Sequence, residues 1–342
     1  MIFYLTTRAN MNVINWYLEQ WGKPLASNIL PVAYHDIFKK RKLPSGTYIF
    51  ADIERLSVAE TEQAAWIWTN LQKDKETRLL NHPLWSMCRY ELLKTLYNQG
   101  ENRFNIYWLT EDISAVQFPV FVRGENDHKG NQTSLLETQA ELDQAIAAIV
   151  NQGESRQDKV IIEFCDTRDD QGIFKKYSAF AIGDAIVPVH VRYQKDWVVK
   201  ANTLKTDQRE QENQTYVQTN PHADKIREIF NLARIQYGRI DYSFSGDLMQ
   251  VWEINTNPTI CHFQDSRDSP LNRQVAEQLE QAFTSIDMPS NSKDSIAIPP
   301  QPSSDTPLEF VSRISEAAPW LPNPYRVTLR KSLRKVIKTL KK

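Results

Sequence analysis

Apolar and polar positions alternate along this chain in several registers, separated by a few clear breaks. Met1–Thr6 is a short apolar run that reads as a first buried strand, followed by a helical pattern over Val13–Trp21. Thr47–Asp52 predicts a second strand, and Ala59–Leu71 a packed helix, so residues 1–78 form one predicted α/β unit. A second unit starts near Leu79. It has a helix over Ser86–Tyr97 with Met87, Leu92, Leu93 and Leu96 near one face, and Gly100 as its stop. Strands over Phe104–Leu109 and Phe118–Arg123, a helix over Glu137–Asn151 and a buried strand at Val160–Phe164 follow. The third part predicts antiparallel pairing: Tyr177–Ile182 and Ile186–Val191 flank a Gly183-Asp184 turn, and a second hairpin turns at Ser245-Gly246-Asp247. Helices over Ala223–Ala233 and Leu271–Phe283 bracket that hairpin.

The fold class expected from this order is α/β in the first half and α+β, with an antiparallel sheet, in the second. Eight prolines between 289 and 324 predict a linker over residues 289–325. Residues 326–342 then form a basic amphipathic tail, with Leu329, Leu333, Val336, Ile337 and Leu340 at helical spacing. Such a tail suits an anionic membrane surface or an acidic partner; the alternative is a solvated terminus.

The 342 residues exceed what one small core needs, and a formal net charge of −1 gives no bulk attraction to nucleic acid. Three cysteines, Cys88, Cys165 and Cys261, show no paired spacing. They predict neither a disulfide framework nor a zinc site, and fit a reducing cytoplasm. No apolar run approaches the ~18 residues that span a bilayer.

Candidate chemistry concentrates late in the chain. Glu253 and Asn255 are two apart, so on a strand they share a face, and folding the hairpin brings Asp241 beside Glu253. Three hard oxygen donors of this kind suit Mg²⁺, which is commonly held by one or two carboxylates and completed by substrate phosphates. The competing reading is an exposed hairpin with ordinary polar residues. His190 and Arg192 alternate on one strand face and are candidate substrate contacts, or a surface pair. Asp52 and Arg55 end an N-terminal strand, where open α/β sheets place ligands. They, like Arg89, are candidate contacts for a substrate carboxylate or amine, or else salt-bridge partners.

The pattern Asp241-x11-Glu253-x-Asn255-x-x-Pro258, behind the strand Phe118–Arg123 and the hairpin from Lys175 to Val191, resembles the ATP-grasp superfamily of carboxylate ligases. The resemblance covers roughly residues 80–285, with a pre-ATP-grasp-like α/β unit before it, a lid over about 115–165 and an antiparallel metal-binding subdomain after it. It implies ATP and Mg²⁺ as cofactors, with Asp241, Glu253 and Asn255 holding the metal. It places Arg123 where the family has an ATP-binding lysine, and Lys129 in the loop over the phosphates, though that loop is poor in glycine. Ile161, Glu163 and Phe164 fall on the strand whose backbone meets adenine; Glu163 is equally readable as a cap for a lid helix. Lys176 is the second expected phosphate cation, with Lys175 as its rival. Lys175-Lys176-Tyr177 also replaces the family's usual Asp-x-Arg start. The loop from Tyr193 to Trp197, with Lys200, lies where many members bind the acceptor.

The activity implied is ligation of a small-molecule or peptide carboxylate, through an acyl-phosphate, to an amine or related nucleophile, with Arg123 and Lys176 supplying catalytic charge. A phosphotransferase on the same scaffold, or a nucleotide-binding module without catalysis, are the alternatives.

Overall fold

The computed structural model describes residues 1–126, 130–261, 269–290 and 295–301. The chain divides into two compact units. One comprises residues 1–12, 26–86 and 286 onward, and the other residues 13–25 and 87–285. In chain order, β1 (Ile2–Thr6) leads into α1 (Met11–Gln20), then β2 (Ile29–Ala33), the single turn α2 (Tyr34–Ile37), β3 (Lys42–Pro44), β4 (Thr47–Phe50), α3 (Val58–Leu71) and β5 (Arg78–Leu80). These build a parallel sheet in the order β2-β1-β4-β5. Every residue of β1 is buried, as a central parallel strand covered on both faces should be. Ser57 starts α3 with a capping box completed by Glu60, and Ala64, Ile67 and Leu71 pack into a core with Phe3, Leu5, Tyr48 and Phe50.

The second unit begins with α4 (Arg89–Asn98), β6 (Ile106–Trp108), β7 (Val120–Gly124), α5 (Gln139–Asn151) and β8 (Lys159–Glu163). The antiparallel order β6-β8-β7 carries α5, whose Leu142 and Ile149 join Val120, Val122 and Ile161 in a separate small core. Two long hairpins follow: β9 (Phe174–Ile182) with β10 (Ala185–Gln194), then, after α6 (Asp207–Thr219) and α7 (Ala223–Ala233), β11 (Tyr237–Ser245) with β12 (Leu248–Asn255). They form one antiparallel sheet, β10-β9-β11-β12. Helix α8 (Pro270–Ile286) closes this unit, with Val275, Leu279, Ala282 and Phe283 on its buried stripe.

Two expected boundaries move. The break near 79 falls later, because β5 pairs with β4 and the first unit continues to Ser86. The region from 289 to 325 is not linker throughout: β13 (Ser295–Ala297) pairs antiparallel with β3, Ile298 is buried in the first core, and Trp66 Nε1 donates to the Pro299 carbonyl at 2.9 Å. Alternating Ile296 and Ile298 give this short strand its apolar side. The basic tail, residues 326–342, lies outside the described residues. Among the described residues no helix is long and apolar enough to cross a membrane.

Candidate functional site

The sheet of the second unit has two unlike faces. Its register aligns His190 of β10 with Ser178 of β9, Ser178 with Asp241 of β11, and Asp241 with Glu253 of β12. Opposed residues in a sheet share a face, and so do residues two apart on a strand. Arg192, Lys176, Arg239 and Asn255 therefore join that row, and eight polar side chains from four strands make one face. The opposite face is aromatic: the rings of Tyr177 and Tyr242 stack at 5.4 Å, with Tyr216 of α6 edge-on to Tyr177 at 5.2 Å.

Ion pairs organise the polar face. Asp241 is 4% exposed; Ser178 Oγ donates to its Oδ1 at 2.8 Å, Lys176 Nζ lies 3.2 Å from Oδ2, and Arg239 Nε lies 3.1 Å from Oδ1. Burial would push this carboxyl up. Arg239, Lys176, the Ser178 hydroxyl and His190 outweigh it and hold the group well below the usual carboxylate range. Glu253 Oε2 accepts from Arg89 Nη2 at 2.5 Å and sits 3.5 Å from Arg123 Nη2. Arg89 in turn donates through Nη1 to the carbonyls of Gly124, at 3.1 Å, and Glu125. Four cations thus surround two carboxylates, leaving a positive surplus that suits a polyanion. Desolvation first, and then Arg192, Arg239 and Lys176, keep the His190 imidazole neutral far below its ordinary range.

The carboxylate pair opens onto a cavity of about 160 Å³. Its wall includes the charged side chains of Arg123, Lys176, Asp241 and Glu253, and the aromatic residues Phe104, Phe121, Phe164, Phe174, Trp197 and Trp252. Phe121 and Phe164 pack on Trp197 at 4.9 and 5.9 Å, and Phe104 stacks on Trp252 at 5.1 Å. A bulge explains why both Trp252 and Glu253 line the wall. Asp241 pairs with Glu253 and Tyr242 with Val251, so Trp252 is the extra residue and local alternation breaks.

The expected site residues distribute as follows. Arg123, Glu163, Phe164, Lys176, Asp241 and Glu253 line one cavity. Of the two lysines, Lys176 meets Asp241, whereas Lys175 pairs with Glu212 at 3.2 Å. Asn255 shares the face but ends its strand opposite Arg239, with its Oδ1 accepting from the Asn257 N–H at 2.8 Å. Ile161 belongs to the small core beneath α5, and Ile162, one residue on, takes the cavity wall. The Glu163 carboxylate ties β8 to neighbouring segments: it accepts from the N–H groups of Asn105 at 2.8 Å and Gln117 at 2.9 Å, and from the Tyr107 hydroxyl at 3.2 Å. The Phe164 N–H donates to the Pro119 carbonyl at 2.8 Å, so Phe164 offers the cavity its ring. Lys129 lies outside the described residues.

Sequence reasoning missed Arg239 as a participant, although its position two before Asp241 signals a shared face. It also missed the aromatic lining as a whole, which comes from six separate segments. Among the described residues no group of three or more His, Cys, Asp and Glu side chains gathers as a metal cluster. Among the described residues the oxygen donors at hand are the two opposed carboxylates of Asp241 and Glu253. That set fits Mg²⁺ completed by substrate oxygens and water, and not a softer metal.

No family model matches the sequence, and no curated protein matches it. Among solved structures the chain is similar to D-alanine–D-alanine ligase from Bacillus anthracis, at 12% identity and a TM-score of 0.49, over 83% of this chain and 96% of that one. It is similar to an ATP-grasp RimK-domain protein from Sphaerobacter thermophilus at 12% identity and a TM-score of 0.44, over 83% and 100% of the two chains. A D-cycloserine synthetase gives 13% identity and a TM-score of 0.45, over 82% and 99%.

Proposed function

We propose that this protein is an ATP- and Mg²⁺-dependent ligase of the ATP-grasp type, joining a carboxylate to an amine with release of ADP and phosphate. The observation that carries the reading is one cavity lined both by aromatic rings and by an opposed carboxylate pair ringed by cations. A purine stacks on aromatic faces, and a triphosphate needs the cation surplus.

In this reading the rings of Phe121, Phe164 and Trp197 hold adenine. Arg123 and Lys176 bind phosphate oxygens, the guanidinium as a two-point fork and the ammonium as a point charge. Arg89 leaves Glu253 to join them. Asp241 and Glu253 hold Mg²⁺, which when bound supplies neutralisation of the charge building on the transferred phosphoryl oxygens. Arg192 and neutral His190 extend the same face and orient the substrate carboxylate. One of its oxygens attacks the γ-phosphorus as the bond to ADP breaks; the amine then displaces phosphate from the acyl carbon and loses a proton. The chain contributes alignment and charge, and no covalent group of its own. Typical ligand pockets run to roughly 300–1,000 Å³. The Trp197–Val199 wall therefore moves outward for the nucleotide to enter.

The test is purified protein with Mg-ATP and pooled amino acids and small peptides. ADP and phosphate release that depends on an acceptor supports ligation. AMP formation overturns it, and γ-phosphate retained on a stable product assigns a phosphotransferase instead.

A further inference from the structure

The aromatic face of the second unit's sheet opens at one end onto a cavity of its own. About 530 Å³ lies between the loop before β9, the hairpin turn at Gly246-Asp247 and the segment joining α6 to α7. Tyr177 and Phe244 line it from β9 and β11, and His222 lines it from the residue before α7. Neighbours along a strand point to opposite faces, so these rings lie behind the sheet from Lys176 and Asp241. None of them takes part in the reaction proposed above.

The hydrogen bonds behind this cavity run in one direction. The Ser178 carbonyl can only accept, so the Tyr216 hydroxyl donates to it, at 3.1 Å. With its proton spent, Tyr216 accepts from the Tyr242 hydroxyl at 3.0 Å, and Tyr242 in turn accepts from His222 Nδ1 at 2.8 Å. His222 therefore carries its proton on Nδ1. Burial draws its pKa below the ordinary range, so the ring is neutral at about pH 7. Nε2, on the other edge of the ring, keeps a lone pair.

The charged groups divide in the same sense. Among the described residues two cations line the cavity, and both are engaged. Lys175 Nζ lies 3.2 Å from each Glu212 oxygen, and Arg168 Nε lies 2.9 Å from each Asp166 oxygen. Glu212 also accepts from the Tyr177 hydroxyl at 2.9 Å, so Tyr177 offers the cavity its ring. Asp169 Oδ1 accepts from the N–H groups of Gln171 and Ile173, both at 3.0 Å. The Asp170 and Asp247 side chains have no hydrogen bond or ion pair among the described residues. What stays open is all acceptor: two carboxylates and one imidazole lone pair. Beside them the rings of Tyr177 and Phe244 meet at 89° with centroids 5.6 Å apart, and the His222 ring lies 4.8 Å from Phe244.

We propose that this cavity binds a protonated alkylamine, with an ammonium N–H donating to His222 Nε2, the charge facing Asp170 and Asp247, and the alkyl chain packed on Phe244 and Tyr177. An ammonium has three donors and no acceptor, the complement of what the cavity leaves open. Aromatic rings add attraction for the same charge. An anion would meet two uncompensated carboxylates, and a neutral alcohol would forgo the charge. The sheet separates this ligand from the Asp241–Glu253 pair, so it is not the reacting amine, and its binding does not rest on the ligase reading.

The experiment is a titration of the full chain with n-butylamine, without nucleotide, at about pH 8, where the amine is charged and His222 neutral. Nitrogen NMR of protein carrying isotope-labelled histidine reads the imidazoles, and His222→Gln identifies the His222 signals by their loss. In the free protein His222 shows a protonated Nδ1 and a bare Nε2. The amine shifts the Nε2 signal saturably, and butanol and butyrate bind roughly tenfold more weakly or worse, as expected for losing a hydrogen bond to a charged group. The Asp170→Asn/Asp247→Asn double variant weakens the amine by a similar factor. Both of its positions are exposed, so it decides the matter even if His222→Gln does not fold. A proton on Nε2 in the free protein, no saturable binding of the amine, equal binding of butanol or butyrate, or unchanged affinity in the double variant overturns the proposal.

Discussion

Replacing Arg89 by Met removes a guanidinium whose side chain is 6% exposed and which lies 2.5 Å from Glu253. The partner, 18% exposed, keeps its longer contact to Arg123 at 3.5 Å. Removing one member of a buried pair costs about 3–5 kcal/mol, because the other is left as an uncompensated charge. The surviving Arg123 contact puts the expected loss at the low end, about 3 kcal/mol. Glu253→Met strands Arg89 similarly, although the Gly124 and Glu125 carbonyls still accept from it. The double variant leaves neither charge stranded, so its loss falls well below the sum of the two singles. The coupling expected is about 2 kcal/mol, within the range for residues in direct contact. Urea unfolding of the four proteins, followed by tryptophan fluorescence, measures it. Strictly additive losses, or an Arg89→Met protein as stable as the parent, would refute the claim that this pair is buried and mutually dependent.

Three further outcomes follow from other parts of the molecule. The depressed Asp241 carboxyl contributes stability that is present above its unfolded pKa of about 3.9 and is lost as pH falls toward its folded value. Asp241→Asn should therefore flatten the acid limb of a melting-temperature profile below about pH 4; an unchanged slope contradicts this. Ile298→Ala opens a cavity in the first core and should cost about 2–5 kcal/mol, read by calorimetry, with a negligible effect arguing against strand β13. Mg-ATP should change the tryptophan emission of the parent and leave Trp197→Phe largely silent, since Trp197 packs on the proposed adenine rings. A full response in the variant would move the base elsewhere.

What the sequence could reveal depended on period and parity. The two-residue period of strands was enough to place Asp241 beside Glu253, and Gly246, at φ 61, supplies the tight turn that sets their register. Parity decided one question that sequence left open, Lys176 over Lys175 as the partner of Asp241, and it put Ile162 on the cavity wall where the sequence reading named Ile161. Neither is readable without knowing which face a strand turns inward. Trp252 was hidden for a related reason, because one inserted residue in a hairpin leaves no mark in a count of hydrophobic positions. Helix α6 escaped because Asp207–Thr219 is almost wholly polar, with only Tyr216 and Val217 buried. Strand β13 escaped because three residues within a Pro- and Ser-rich stretch carry too little pattern. Asp52 and Arg55 were legible as polar strand ends, but not the way Asp52 folds back onto Thr7 and Asn10.

The first unit is assembled from distant parts of the chain. The Thr47 hydroxyl donates to the Ile286 carbonyl and accepts from the Met288 N–H at 3.2 Å, and β3 waits for β13 before it has a neighbour. During synthesis, the opening strands therefore emerge some 240 residues before their last partners. Residues 87–285 lie between them in the chain and make up most of the second unit, which also takes in residues 13–25. Until residues 295–298 have emerged, β3 has no strand neighbour and the first core lacks Ile298.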